Sequence, residues 1–366
     1  MSSSRRVKVD YKSSGVDIDR EDEAVKNMIR LFHQTYAFRG KIGSPALPIA
    51  HFAGVIKFTD KLGLVLKSDG VGTKVFVAQL MDRYDTVGID CVAMNVNDVI
   101  CIGGEPISFI DYLAIQKPDH RMLEEIAQGL VKGAKQARVS LVGGETAQLP
   151  EMIKGKRRNR GFDLAGMCLG TVPLDKMITG SDIAEGDALV GLESSGIHSN
   201  GLTLARRVLL DKAKLKVHRH IDELGRTVGE ELLEPTRIYV PEVLEMFKAD
   251  LHIKAIAHIT GKGILNLGRV GEGVGYIIEK LPKPQPIFNL IQKRGKLPDE
   301  EMYRIFNMGV GLCLVLPPSE AEEALSIAEK HKVQGLIMGK AVKDPQKGLI
   351  LKPKGLLGLR GHFQKA

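Results

Sequence analysis

Lys67-Ser68-Asp69-Gly70-Val71-Gly72-Thr73-Lys74 follows the apolar run Leu64-Val65-Leu66 and opens onto Val75-Phe76-Val77-Ala78-Gln79-Leu80. The spacing predicts a strand, a tight turn and a helix, with one carboxylate, two glycines, a hydroxyl and two lysines at the turn. Glycine lets a backbone approach a ligand closely, and the amides at a helix start favour anions. Asp69 has the chemistry to hold a divalent cation bridging to phosphate oxygens, although a plain turn residue would look the same. The spacing is not that of the Walker loop. A phosphate site here belongs to a different nucleotide-binding architecture.

Around this turn, 366 residues with 43% hydrophobic content predict two cores and therefore two domains. No apolar run reaches the length of a membrane span, and the N-terminal stretch carries no signal-like apolar region. Cys91, Cys101, Cys168 and Cys313 lack metal-ligand spacing and read as buried thiols of a cytoplasmic protein. The net charge of +8 is dispersed, without an RNA-binding motif, so no nucleic-acid partner is expected. Anionic small substrates suit the charge equally well. Forty glycines, against an average of about 7%, sit at the ends of apolar runs and point to a ligand-handling enzyme.

Strand-like and helix-like segments alternate in both halves, giving an α/β (mixed α+β) class with two domains, 1–173 and 174–366. Asp17 or Asp19 caps a predicted helix reaching Phe38, and Asp82 to Cys101 becomes helical after a polar start. Ser140-Leu141-Val142 reads as a short strand entering Gly143-Gly144-Glu145-Thr146.

Three acidic motifs lie in glycine-bearing contexts of the first half. Asp69 is in the opening turn, Asn95 and Asp98 share a helix face at i, i+3, and Glu145 follows a strand. Together Asp69, Asp98 and Glu145 have the oxygen chemistry of a magnesium cage. Singly, Asp98 is also readable as a polar helix residue and Glu145 as a carboxylate favoured by a helix dipole. The second half supplies Glu193-Ser194-Ser195-Gly196-Ile197-His198-Ser199-Asn200-Gly201, His258-Ile259-Thr260-Gly261-Lys262-Gly263 and Asn307-Met308-Gly309-Val310-Gly311. These are loops for an anion or substrate. No nucleophile elbow accompanies the Ser–His pairs, which argues against hydrolase chemistry. A lone loop histidine is more often a structural hydrogen-bonder than a catalyst.

In this order the segments resemble the aminoimidazole ribonucleotide synthetase (phosphoribosylformylglycinamidine cyclo-ligase) family. The resemblance runs from Tyr11-Lys12 and Gly15-Val16-Asp17-Ile18, through Asp69-Gly70-Val71-Gly72-Thr73-Lys74, Asn97-Asp98 and Gly143-Gly144-Glu145-Thr146-Ala147. It continues over Ser194 to Gly201, Pro235-Thr236-Arg237, His258-Ile259-Thr260-Gly261 and Phe306 to Gly311. The family commonly has a glycine-rich turn in place of Ala50 to Gly54, Glu in place of Gln148, Gly in place of Glu151 and a further Gly in place of Lys262.

The resemblance implies ATP-dependent ring closure of formylglycinamidine ribonucleotide and a homodimer whose first domains pair into a barrel-like sheet. It implies Asp69, Asp98 and Glu145 as Mg2+ ligands, with Asn95 and Asp90 secondary. Lys12 and Lys74 would contact ATP phosphates, with Gly70, Gly72 and Thr73 in the approach turn. Ser195, Asn200, Thr260 and Asn307 would meet substrate, and His198 or His258 would move a proton. The alternative within this resemblance is formylglycinamidine ribonucleotide synthetase, whose large subunit is longer. A non-catalytic nucleotide- or RNA-binding protein is the remote alternative.

Overall fold

In the computed structural model, residues 15, 17–49 and 51–366 are described. Lys12 and Tyr11 lie outside them. The first half runs α1 (Ile18–Phe32), β1 (Gly54–Lys57), β2 (Leu62–Gly70), α2 (Lys74–Met81), α3 (Val87–Ile100), β3 (Glu105–Ile115), α4 (His120–Ala137), β4 (Ser140–Gln148) and β5 (Phe162–Pro173). The second half runs β6 (Ala188–Glu193), α5 (Leu202–Arg206), β7 (His220–Ile221), β8 (Arg226–Thr227), α6 (Val228–Leu232), α7 (Val240–Lys248), β9 (Ala255–His258) and β10 (Val274–Ile278). It ends with α8 (Pro286–Gly295), α9 (Asp299–Ile305), β11 (Val310–Leu316), α10 (Ala321–Lys330), β12 (Gly335–Lys343), β13 (Leu349–Leu351), β14 (Leu356–Leu359) and β15 (His362–Lys365).

The first sheet has the order β1-β2-β5-β3-β4, antiparallel except for the parallel β3–β4 pair. The second has eight strands in the order β15-β14-β13-β10-β12-β6-β11-β9. This is the expected mixed α/β architecture, one curled sheet and one mixed sheet with helices. Among the described residues, no helix is long and apolar enough to cross a membrane.

The helix α3 organises the junction. All fourteen of its residues are buried, as expected of a helix covered on every side. It touches β2, β3 and β5 on one flank, α4 on another, and α7 and β9 of the second half. Close approach to α4 depends on Gly88, where a Cβ would meet the Leu130 backbone nitrogen at 2.2 Å. The polar groups of α3 are buried with it: Asp90, Asn95, Asn97 and Asp98. Each must find partners, and most of those partners come from the second half.

Several elements differ from the sequence reading. Asp17 does cap α1, its Oδ1 accepting from the Arg20 N–H at 3.3 Å, but the α-helix ends at Phe32 and continues to Phe38 as a 3-10 turn. Gly143 to Gln148 belongs to β4 itself, so Glu145 sits mid-strand with no helix start behind it. Gly-Gly reads as a strand terminator, yet here the strand runs through it. Gly144 lies close against Asp111, whose backbone oxygen a Cβ would meet at 2.9 Å.

Candidate active site

The strand β2 delivers Asp69 and Gly70 at its end, and Gly72 takes φ +70° in the turn before α2. Only a residue tolerant of the left-handed region fits there without strain. The Asp69 carboxylate accepts from the Gly70 N–H at 2.8 Å and its side chain is 36% exposed. Asn95 on α3 donates through Nδ2 to the Asp69 carbonyl at 3.2 Å, while its Oδ1 is buried and unpartnered. A hard cation carrying waters finds oxygen donors of the right kind at Asp69 and Asn95.

Asp98, one turn along α3 from Asn95, is buried with both oxygens engaged. Oδ1 meets His258 Nδ1 at 2.8 Å and Oδ2 meets Lys67 Nζ at 2.8 Å. Lys67 also reaches Asp69 Oδ2 at 3.3 Å. Burial raises the Asp98 carboxyl, but the Lys67 charge and the His258 hydrogen bond outweigh it and hold the carboxyl below its usual range. His258 is buried, and its Nε2 lies 3.4 Å from Asn97 Nδ2. An Nδ1–H donated to Asp98 and an Nε2 accepting from Asn97 satisfy both ring nitrogens, so the tautomer follows from the partners.

Glu145 is not brought to this group. Asp69 pairs with Gly166, Gly166 with Asp111, and Asp111 with Gly144, a row crossing the sheet. Its parity is that of buried Val65 and Phe109, on the α3 side. Glu145, one residue on and paired with Tyr112, points to the opposite, helix-free face. Among the described residues, no group of three or more His, Cys, Asp or Glu side chains is arranged to hold a metal ion. The three-carboxylate cage does not assemble within one chain.

Lys74 is also placed away from solvent. It is fully buried, its Nζ donating to Asp90 Oδ1 at 2.8 Å and to the Glu234 carbonyl. Asp90 Oδ1 also accepts from the Thr236 N–H at 2.8 Å and the Thr236 hydroxyl at 2.6 Å. This ion pair ties the start of α2 to α3 and to the segment before α7. Thr73, just before it, shares a hydroxyl contact of 2.9 Å with Thr203 of α5.

The second-half loops pack around the same junction. His198 takes φ +67°, and its Nε2 accepts from the Ser195 N–H at 3.1 Å. Burial first, with the nearby Lys74 and Arg237 charges adding to it, pushes its imidazole well below the usual range. It therefore stays neutral with the proton on Nδ1, which is buried and unpartnered. Ser195 donates its hydroxyl to the Pro235 carbonyl at 2.5 Å. Asn307 spends its Nδ2 on the Gly196 and Ile197 carbonyls and its Oδ1 on Ser194 and the Gly309 N–H. Thr260 accepts from Asn266 at 2.8 Å. Asn200 keeps a buried Oδ1 without a partner. Of the expected substrate residues, Asn200 alone has a side-chain oxygen in that state, and Asn307 works as the brace of the Ser194–His198 loop.

Lys67 is the residue that motif reading passed over. Its signal was present: Val65, Lys67 and Asp69 share one strand parity, and a lysine on the inward side needs an acidic partner. A cleft of about 820 Å³ opens elsewhere, lined by Leu62, Pro173, Lys176, Asp182, Phe247 and His252. Leu62 and Pro173 lie at the far end of the first sheet from Gly70, and none of the candidate site residues lines the cleft.

Two curled and mixed sheets joined by a buried helix, with an Asp-Gly-x-Gly turn at the junction, define a class. Residues 51–172 match the model of the AIR synthase related protein, N-terminal domain, and residues 184–352 that of its C-terminal domain. The phosphoribosylformylglycinamidine cyclo-ligase of Methanocaldococcus jannaschii is 48% identical over 335 residues, covering 91% of this chain and 92% of that protein. The enzyme of that name from Thermococcus kodakarensis is 47% identical, over 92% of this chain and 96% of its own. The chain belongs to the phosphoribosylformylglycinamidine cyclo-ligase family.

Solved structures share the fold at lower identity. Thiamine-monophosphate kinase from Stenotrophomonas maltophilia aligns with a TM-score of 0.58 at 18% identity, over 89% of this chain and 95% of that one. Thermotoga maritima PurL complexed with ATP aligns with a TM-score of 0.54 at 17% identity, over 82% of this chain. The chain spans 44% of that PurL, less than half its length.

Proposed function

We propose that the chain catalyses the ATP-dependent cyclisation of formylglycinamidine ribonucleotide to aminoimidazole ribonucleotide in purine biosynthesis. The observation that carries this is the match to cyclo-ligases over nine-tenths of both lengths. Identity of 48% to a cyclo-ligase, against 17% to PurL, favours this reading over the amide-activating synthetase alternative. The γ-phosphoryl of ATP passes to the formyl amide oxygen. The amidine nitrogen then attacks the iminophosphate carbon, the C–O bond to phosphate breaks, and the ring closes with release of ADP, phosphate and a proton. Such chemistry asks for positioning and charge neutralisation more than for a covalent nucleophile.

Asp69 and the free Asn95 oxygen would hold Mg2+, which supplies charge neutralisation on the ATP phosphates. Gly70 and Gly72 open the turn to the phosphate chain, and Lys12 is proposed beside it. Asn200 and the Nδ1–H of neutral His198 offer an acceptor and a donor to the substrate. His258, Lys74, Ser195, Thr260 and Asn307 then serve to hold the junction and loops rather than to move protons. Four buried, free thiols support a reducing cytoplasm. A division of the chain near residue 173 is supported by the end of β5 and the separate sheets. The test is direct. Purified protein with formylglycinamidine ribonucleotide, ATP and Mg2+ forms a diazotisable aminoimidazole with stoichiometric ADP. ADP release independent of that substrate would refute the reading.

We infer also that two copies pair through the first sheet. Its helix-free face carries Met167, Tyr112 and Glu145, with Leu141 and Val142 at the edge strand. The edge strand β4 is exposed at every position but Ala147. A long exposed edge with an apolar face is a liability unless it is covered. Val142→Asp is expected to move the protein from dimer to monomer in sedimentation. A variant that stays dimeric would place the interface elsewhere.

A further inference from the structure

We propose that Lys67 is a built-in cation: its ammonium holds the place between Asp69 and Asp98 that a divalent ion would otherwise take. Asp98 is thereby freed to bridge the domains instead of ligating metal. The proposal deepens the reading above and rests on it for Asp69 as the magnesium carboxylate.

The geometry is specific. Lys67 Nζ lies 2.8 Å from Asp98 Oδ2 and 3.3 Å from Asp69 Oδ2, and its side chain is only 19% exposed. Asp98 has no oxygen left over, because Oδ1 is held by His258 from β9. A carboxylate 5% exposed and paired on both oxygens gains little from a metal that must first displace an ammonium. Take the ammonium away and the balance inverts. The Asp69 and Asp98 carboxylates, both now against one ammonium, would then be left near one another with no lysine between them. That is the oxygen-donor, net-negative setting divalent ions select, with affinity following ligand charge. Lys67 also lies on the inward parity of β2, so its stem is fixed by the strand that fixes Asp69. The site is thus built for fewer metal ions than its carboxylate count suggests, and Lys67 makes the difference.

The experiment counts ions, not turnovers. Nucleotide-free wild type and Lys67→Met are titrated with Mn2+ and followed by the paramagnetic resonance of free Mn2+. Lys67→Met is expected to bind one further Mn2+ per chain, about tenfold or more tighter than any wild-type site, because ligand charge sets affinity. The double variant Lys67→Met/Asp98→Asn should lose that ion. A folded Lys67→Met with the wild-type isotherm overturns the proposal. Lys67→Gln serves if the Met variant does not fold. In the wild-type background, Asp98→Asn should leave Mn2+ binding with ATP unchanged, and a lost ion there would also overturn it. The count needs no substrate. A wild type that fails to cyclise refutes the functional reading while leaving the Lys67 result standing, and the converse holds equally.

Discussion

Replacing Asp69 by asparagine lowers kcat for cyclisation by about 10²–10³-fold, the loss of several kcal/mol of transition-state stabilisation, with little change in melting temperature. The asymmetry follows from what the side chain does in the fold. Its one backbone contact, the Gly70 N–H at 2.8 Å, can still be accepted by an amide oxygen. Its bridge to Lys67 is long and partly exposed, a setting where ion pairs contribute only about 0–1 kcal/mol. What asparagine cannot supply is the charge that draws a divalent ion to the phosphate chain. Steady-state assays with formylglycinamidine ribonucleotide, run across a Mg2+ series beside thermal melts, check both halves. Unchanged kcat would remove Asp69 from the metal. A melting loss as large as the activity loss would make it a structural residue.

The strand, turn and helix around Asp69 were legible because they depend on local chemistry: a β-branched run, a glycine that needs positive φ, and a helix-forming segment. The loops at Ser194, His258 and Asn307 were legible as loops for the same reason. What was not legible depends on tertiary register. A one-residue change of register flips a side chain to the other face, and β4 carries an irregularity opposite Phe109 and Ile110. No local signal says on which side Glu145 emerges, so its company with Asp69 and Asp98 could not be judged. The i, i+3 spacing puts Asn95 and Asp98 on one face of α3, but it does not show that Asp90 and Asn97, seven apart, turn to the second half. There Asn97 binds the Arg237 carbonyl and the Tyr239 N–H. Lys67 was hidden differently, since it stood inside the quoted stretch as one of two lysines. Their fates are set by partners outside the quoted stretch, Asp98 for one and Asp90 with the Glu234 carbonyl for the other.

Lys74→Met is expected to destabilise the protein by about 3–5 kcal/mol, the usual loss when one member of a buried ion pair is removed. Lys74 and Asp90 have no exposed side-chain surface, and methionine keeps most of the lysine stem while deleting the charge. Asp90 would keep its Thr236 donors and a distant Ser199 hydroxyl. Its Oδ2 already lacks a partner, so its charge would be left uncompensated in the junction. The Glu234 carbonyl would lose its donor as well. The double variant Lys74→Met/Asp90→Asn should recover part of the loss, because removing both charges removes the burial penalty that one leaves behind. Denaturant unfolding of the four proteins gives the coupling. ATP titration of the same set decides between two roles. A fall in stability with ATP affinity intact in the folded fraction makes Lys74 the tie between α2, α3 and the segment before α7. An unchanged midpoint with ATP affinity weakened tenfold or more would mean that the pair opens and the ammonium reaches the phosphates, and the buried geometry would then describe only the closed, nucleotide-free chain.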